Sequence, residues 1–467
     1  MARVLLIAPL SEEYSGIRNY GAPSLGVHRI ASFLRAHGHE AAVWDCNIHS
    51  AETLDGLLAD SWDTIGISIL NDTLLLSLEM FLRLRREQPN VRLVAGGPEA
   101  TLNYQEILDN TDVDIVVLGE GELPMLDICN GKPIGDIEGI ITRRRTLPVT
   151  SELLWQYYQN IDFASMGWEE YWERNNISGN MAGRRDDLVR LVTSSHCLRG
   201  CNFCSVTRLH EFACGRRVMP AYLSGEQIRL LLARIIEQVP DVKRVYFDED
   251  SILPTVRRLD DFCSGLRLFK DRLQFLVQTE TDKVTQDTVR KLADVGVRHI
   301  SFGVENCSSR VRRLMGKQQN EQRIEDIIGW CAEFGVRCYY LIILFAPESN
   351  IDDLRINHDT LTRWQQDDRV LVSIEPYMMP YRGARIYSED FEFAYTTTKL
   401  SNGRVLKHPY LIYPRDPAVR LVMDRFQKRM PEYFAEWDKN QGESRRSKDH
   451  TGKVYVRLLG DLLSEQA

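Results

Sequence analysis

Along the first third of the chain, short apolar runs alternate with segments whose apolar positions recur every three or four residues. The runs are Val4–Ala8, Ala41–Trp44, Thr64–Ser68, Val91–Ala95 and Asp114–Leu118, each the length of a buried strand. Val27, Ile30, Ala31 and Leu34 share one helical face, and Gly38 ends that helix. Leu74–Arg86 reads as another helix, with Asp72 or Thr73 placed to cap it. Strands separated by helices need crossover connections, so residues 1–145 are expected to form a parallel, doubly wound sheet. Such sheets take ligands outside the carboxyl ends of their strands. Those ends carry Gly96-Gly97-Pro98 and Gly119-Glu120-Gly121-Glu122. Glycine there either makes a turn or lets the backbone approach a bulky ligand. No G-x-G-x-x-G follows the first strand, which speaks against a nicotinamide or flavin site.

The alternation resumes over residues 186–376, with strands at Leu188–Thr193, Val245–Phe247, Leu273–Val277, His299–Phe302, Cys338–Phe345 and Ser373–Tyr377. Residues 146–185 hold Trp155, Tyr157, Tyr158, Trp168, Tyr171 and Trp172, so they read as a packed linker. Residues 377–467 are expected to form a small, α-rich, substrate-capping domain, and the charged stretch 438–450 a loop. With 467 residues, 43% of them hydrophobic, the chain has room for about three such units. The net charge of −8 argues against a broad nucleic-acid surface. No apolar run is long enough for a membrane span, and the N-terminus reads as a strand, not a signal peptide. A cytoplasmic setting follows, in which ten cysteines are thiols or metal ligands before they are disulfides.

Three of those cysteines stand together as Cys197-x3-Cys201-x2-Cys204. Three thiolates from one loop can hold a cluster and leave one metal position open for substrate. A zinc site completed by Cys214 or His210 is the competing reading. The spacing, with aromatic Phe203 before the last cysteine, resembles the signature of the radical S-adenosylmethionine (SAM) superfamily. That resemblance implies a [4Fe–4S] cluster on Cys197, Cys201 and Cys204, with SAM chelating the fourth iron and cleaved to a 5′-deoxyadenosyl radical. It also implies a partial (β/α)6 barrel, whose active site lies at the C-terminal ends of the strands. SAM contacts are then expected from Phe203, from Asp248 or Glu249, from Gln278 and Glu280, and from Glu305 in Gly303-Val304-Glu305-Asn306. The family has serine where Asn306 stands and usually glycine where Ala346 precedes Pro347.

The first domain resembles the cobalamin-binding domains. Ser68-Ile69-Leu70 matches their S-x-L, and Gly96-Gly97 follows after 25 intervening residues. The loop Gly119–Glu122 resembles the GEGE loop of cobalamin domains fused to radical SAM enzymes. The implied corrinoid contacts are Ser68, Ile69, Leu70, Gly96, Gly97, Pro98, Glu99, Gly119, Glu120, Gly121 and Glu122. The family's D-x-H-x-x-G is absent, so the lower cobalt ligand is not that histidine; methionine, water or an empty position remain.

Together the resemblances imply a cobalamin-dependent radical SAM enzyme that uses methylcobalamin to methylate an unactivated carbon of a small molecule. A radical rearrangement, ring contraction, oxidation or coupling is the alternative, and a non-catalytic sensor a more distant one. An external flavodoxin- or ferredoxin-like reductant is expected as partner. Tyr377, Tyr381, Arg382 and Arg385, with His408 and Tyr410, are the substrate-facing candidates in the aromatic C-terminal segment. No residue is singled out as catalytic.

Overall fold

The computed structural model describes residues 1–9, 22–142, 145–178, 187–249, 251–252, 255–441 and 448–465. The N-terminal sheet comprises β1 (Arg3–Ala8), β2 (Glu40–Asp45), β3 (Thr64–Ser68), β4 (Arg92–Gly96) and β5 (Ile115–Val116). All pairings are parallel, in the order β2-β1-β3-β4-β5. The winding reverses between β1 and β3, which opens a crevice at the strand ends. Along β1, Val4 and Leu6 join one apolar layer and Leu5 and Ile7 the other. Burial on both faces is why these strands read as continuous apolar runs. The last strand is shorter than its pattern, because only Ile115 and Val116 pair with β4 while Val117 bridges to Ile140. Neither Asp72 nor Thr73 caps helix Leu74–Glu87 through its side chain. A 3₁₀ turn, Asn71–Thr73, precedes that helix, and the Thr73 hydroxyl accepts from the Leu70 N–H at 2.9 Å.

The second sheet holds β6 (Leu188–Leu191), β7 (Arg244–Phe247), β8 (Gln274–Thr279), β9 (Val297–Glu305), β10 (Arg337–Phe345) and β11 (Val370–Tyr377). These six strands pair in sequence order, all parallel, as a partial barrel with β6 and β11 at its edges. Val245, Phe247, Phe275, Val277, Ile300, Phe302, Tyr340 and Ile342 are buried in the main core. The alternate positions, Tyr246, Asp248, Gln278, His299, Tyr339 and Leu341, are only half-buried. A filled barrel buries its inner layer as well. Here the inward positions are less buried than the outward ones, and most of those named are polar or aromatic.

The aromatic segment after residue 146 bonds to both sheets. The Tyr171 hydroxyl donates to Asp45 Oδ2 at 2.6 Å, and Trp172 Nε1 donates to the Leu188 carbonyl at 2.8 Å. Beyond the barrel, β12 (Phe393–Lys399) and β13 (Val405–Ile412) form an antiparallel hairpin, and helices Pro417–Gln441 and Lys448–Ser464 follow. The C-terminal region is thus a hairpin plus two helices. The hairpin is concealed in the sequence because its outward positions alternate Tyr, Thr and Lys without a long apolar run. Its turn reaches the first domain, where the Ser401 N–H donates to Glu79 Oε1 at 2.8 Å and Asn402 Nδ2 donates to the Asn110 carbonyl at 3.0 Å. The stretch 438–450, expected as a loop, is helical up to Gln441 and again from Lys448; residues 442–447 lie outside the described residues. Among the described residues no helix is long and apolar enough to cross a membrane.

Helix Lys448–Ser464 packs on the edge strand β11, where a Cβ at Gly452 would stand 2.7 Å from the Val372 carbonyl oxygen. Gly452→Leu is therefore expected to lift the helix from the strand at a cost of about 1–3 kcal/mol. A fall in thermal unfolding midpoint checks this, and an unchanged midpoint contradicts it.

Candidate active site

A slot of about 210 Å³ opens at the C-terminal ends of β3, β4 and β5. Leu6, Gly66, Val94, Val117 and Met125 form its apolar floor, and Ser68, Gly96, Gly97, Pro98, Gly119, Glu120 and Gly121 stand around it. Two glycines do different work. Gly97 has φ of +94°, and a Cβ there would lie 2.7 Å from the Ile69 carbonyl oxygen. It allows the β4 turn to close on Ser68-Ile69-Leu70. A Cβ at Gly96 would meet no atom within 4 Å, so Gly96 keeps slot space open. That reserved, apolar, strand-end space fits one arm of a corrinoid; the macrocycle itself is too large for it. Ile69 is buried beneath the strand end, and Leu70 is exposed beside it.

Two barrel residues, Leu209 and His210, also line the slot. They sit on helix Val206–Cys214, directly after the cysteine loop. His210 stacks on His196, ring centroids 4.2 Å apart. Burial, and then proximity to His196, lowers its pKa to about 4, so the ring at the slot is neutral. Sequence reasoning considered His210 only as a zinc ligand. Its three- and four-residue spacing to Thr207, Ala213 and Cys214 marks a helix face but gives no sign of what that face covers.

The loop Cys197–Cys204 follows β6, at the mouth of the barrel. Gly200, with φ of +66°, makes the turn within it. The Arg199 N–H donates to Cys197 Sγ at 3.3 Å. The Arg199 guanidinium pairs with Glu280 and, at 2.7 Å, with Asp282. Asn202 fixes the far side, its Nδ2 donating to the Leu314 carbonyl at 2.6 Å. No three His, Cys, Asp or Glu side chains among the described residues converge closely enough for one metal ion. The two side chains that could complete a zinc site are engaged elsewhere: Cys214 Sγ lies 3.3 Å from Thr146 Oγ1, and His210 faces the slot.

Around the loop, Phe203 lies beneath Lys317 Nζ, 5.8 Å from its ring centre. Lys317 pairs with Glu305 at 2.5 Å and donates to the Gly303 carbonyl at 2.8 Å. Glu305 is the one described non-glycine residue with positive φ, +69°. Such a backbone costs about 1–3 kcal/mol and persists only where its surroundings enforce it. Deeper in the lumen, the Tyr246 hydroxyl donates to Gln278 Oε1 at 2.9 Å, and Arg190 lies 3.3 Å from Asp248. Phe203, Glu280 and Glu305 thus gather near the cysteine loop, and Asp248 and Gln278 stand on the inward side of the barrel strands. Arg190, Arg199, Tyr246 and Lys317 join them. For the two strand residues the signal was available: polar or aromatic residues at every second position of an otherwise apolar strand.

The structure redirects several of the sequence candidates. Glu249 faces away from the lumen and accepts from the Thr193 N–H and hydroxyl, 1% exposed. Strand alternation puts Asp248 inside and so Glu249 outside. Glu122 is fully buried in an ion pair with Arg29, which also holds Glu120. Tyr377 stacks on Phe345 and lies toward Tyr455 and Asp424 of the C-terminal helices. Arg382 is bound to Glu106 at 2.6 Å and lies 3.7 Å from Glu99, so neither Arg382 nor Glu99 is free for a ligand. Arg385 is exposed. Tyr381 is 42% exposed, and desolvation, then the nearby charges of Asp72, Glu375 and Cys204, raises its phenol to about 12.

Glu99, Glu106, Arg382 and His408 make a buried joint between the first domain and the hairpin, with Asn103 Nδ2 donating to both carboxylates at 2.9 and 2.7 Å. Burial raises the Glu99 pKa to about 7 against the attraction of Arg382. The folded chain therefore holds a proton that the unfolded chain releases near pH 4.5, and stability falls as pH rises between those values. The loss by pH 8 is about 3 kcal/mol. Glu99→Gln is expected to unfold at higher temperature than the parent at pH 8, with the gap closing by pH 5. Equal midpoints at both pH values would contradict this.

Residues 18–128 match the family model of the B12 binding domain, and residues 191–356 that of the Radical SAM superfamily. Fold and sequence thus define a corrinoid-type domain joined to a radical SAM barrel. The chain belongs to the cobalamin-dependent radical SAM enzymes. Among solved structures, the cobalamin-dependent SAM radical enzyme OxsB with aqua-cobalamin and SAM bound is similar at 15% identity, with a TM-score of 0.69, over 99% of this chain and 71% of that one. The radical SAM methyltransferase TsrM from Kitasatospora setae, with tryptophan substrate and a SAM analogue bound, is similar at 14% identity, with a TM-score of 0.65, over 83% of this chain and 76% of that one. At such identity the likeness is one of fold. No curated protein matches the chain by sequence.

Proposed function

We propose that this enzyme methylates an unactivated carbon of a small molecule held in the barrel lumen, with SAM, a [4Fe–4S] cluster and methylcobalamin as its working groups. The observation that supports this reading is that helix Val206–Cys214, directly after the cysteine loop, brings Leu209 and His210 into the glycine-edged slot, so the two candidate sites adjoin. When bound, the cluster supplies the electron that cleaves SAM, and the corrinoid supplies the methyl group. Cys197, Cys201 and Cys204 would hold the cluster, and the slot one arm of the corrinoid. Arg199, tied to Glu280 and Asp282, holds the loop in shape. Glu305 and Lys317 present a fixed carboxylate–ammonium pair for the polar end of SAM, and Phe203 a ring for its base. Arg190, Tyr246, Gln278 and Tyr339 orient the substrate inside walls that exclude bulk water. The methyltransferase named TsrM supports the methyl-transfer reading by its fold likeness.

The test is anaerobic turnover with reductant, methyl-labelled SAM and candidate small molecules. Methyl transfer yields 5′-deoxyadenosine, S-adenosylhomocysteine and a labelled product together. Deoxyadenosine without S-adenosylhomocysteine would replace methyl transfer by a radical rearrangement or coupling. Glu305→Gln is expected to weaken SAM binding by about tenfold, the loss of one charge-assisted contact. Equilibrium dialysis with SAM checks it, and unchanged binding would remove Glu305 from the SAM site.

A further inference from the structure

We propose that the surface formed by Arg145, Leu147, Arg216, Arg217 and Met219 is where an acidic flavodoxin-type electron carrier docks to reduce the cluster. The inference rests on the cluster reading above. From Ser195 to Tyr222 the sequence holds four arginines and a single carboxylate, Glu211, in a chain whose net charge is −8. Arg208 is paired with Glu211 at 3.1 Å, and Arg199 is bound to Glu280 and Asp282. Arg145, Arg216 and Arg217 are exposed, and no carboxylate among the described residues pairs with them. The two segments that carry them lie side by side. The Thr146 N–H donates to the Ala213 carbonyl at 2.8 Å, and a Cβ at Gly215 would stand 3.7 Å from Arg145 Nε. Exposed apolar side chains accompany the arginines: Met219 is 74% and Leu147 58% accessible.

This patch touches the cysteine loop. Arg217 Nη2 donates to the Leu198 carbonyl at 2.9 Å, one residue from Cys197, and His196 Nε2 lies 3.2 Å from the Val218 carbonyl. The cluster-holding backbone therefore comes to the surface at the patch. An acidic carrier approaching a negatively charged chain is favoured where carboxylates are locally few and positive charge is free. A flavodoxin presents the apolar edge of its flavin within a ring of carboxylates, which complements apolar side chains among arginines. One electron leaves the reduced carrier and enters the cluster; the carrier is oxidised by one and the cluster reduced by one, with no other reactant.

The experiment uses the full-length, reconstituted protein and its Arg145→Glu/Arg216→Glu variant, both left with Arg217 and the cysteine loop unchanged. Anaerobic stopped-flow follows bleaching of the cluster by reduced flavodoxin and, separately, by dithionite. The expected result is a flavodoxin rate at least about tenfold lower in the variant at low salt, with a flatter salt dependence. The dithionite rate is expected to be unchanged. An unchanged flavodoxin rate overturns the docking site, and so does an equal fall with both reductants, which would mean a disturbed cluster. A rate that falls with a ferredoxin donor but not with flavodoxin overturns the choice of carrier. If the cluster reading itself is wrong, the parent protein shows no cluster absorbance before any donor is added.

Discussion

Cys201→Ala protein is expected to fold, to lose the charge-transfer absorbance of a reconstituted cluster, and to form 5′-deoxyadenosine at least about a hundredfold more slowly, beyond what removal of a residue behind a metal ligand costs. Cys201 is the most enclosed of the three thiols, 7% exposed. Its backbone carbonyl accepts from the Cys204 N–H at 3.2 Å, and the Asn202 N–H beside it donates to the Met315 carbonyl at 3.0 Å. The loop is therefore held by its backbone, and removing one sulfur leaves its path intact. What is lost is one of the three thiolates that would hold the cluster, so two protein ligands would remain. Cys214→Ala is the matched control, because Cys214 is engaged with Thr146. It is expected to keep cluster and activity. Full iron content in Cys201→Ala, or its loss in Cys214→Ala, would refute the ligand assignment.

The second large effect separates folding from binding at two adjacent glycines. Gly96→Leu is expected to bind cobalamin at least about a hundredfold more weakly, close to 3 kcal/mol, with little change in unfolding temperature. Its Cβ meets no atom within 4 Å, and the added side chain fills the slot. Gly97→Ala is expected to destabilise the first domain by at least about 2 kcal/mol, through a backbone that disfavours a Cβ and a contact with the Ile69 backbone. The two observations behind this are the φ of +94° and the 2.7 Å and 2.8 Å distances to the Ile69 carbonyl oxygen and nitrogen. Corrinoid binding by absorbance titration and thermal melts of the cobalamin-free protein distinguish the two. Unimpaired cobalamin binding by Gly96→Leu would mean that the slot is not the corrinoid site.

Chemistry carried by local spacing was legible without coordinates. Three cysteines in eight residues, a strand ending in Gly96-Gly97 and another ending in Gly119–Glu122 all fall on strand ends that the apolar pattern locates. Both sheets follow from the same pattern, since apolar runs separated by helices admit few arrangements. Which side of a strand end a residue faces was harder. Asp248 and Glu249 are neighbours of like charge, and only the pleat decides that one enters the lumen and the other is buried against Thr193. Alternation along Arg244–Phe247 was enough to make that assignment, although the acidic motif by itself was not.

Pairings between distant parts of the chain were beyond the sequence. Arg382 looked free for an anionic substrate, yet it meets Glu106 across 276 positions. Tyr377 turned to the C-terminal helices, and His210 left the cysteine loop to line a slot in another domain. The physical reason is the same in each case. Local sequence sets backbone periodicity and the chemistry available at a strand end, because those depend on neighbours a few residues away. The partner of a charged or aromatic side chain is set by whichever surface the packing of whole domains brings against it. The sequence thus determined two parallel-sheet domains, the residues able to hold their working groups and, through strand alternation, the side chains that face the barrel interior; only the tertiary structure decided which charged and aromatic side chains are held in the joints between domains.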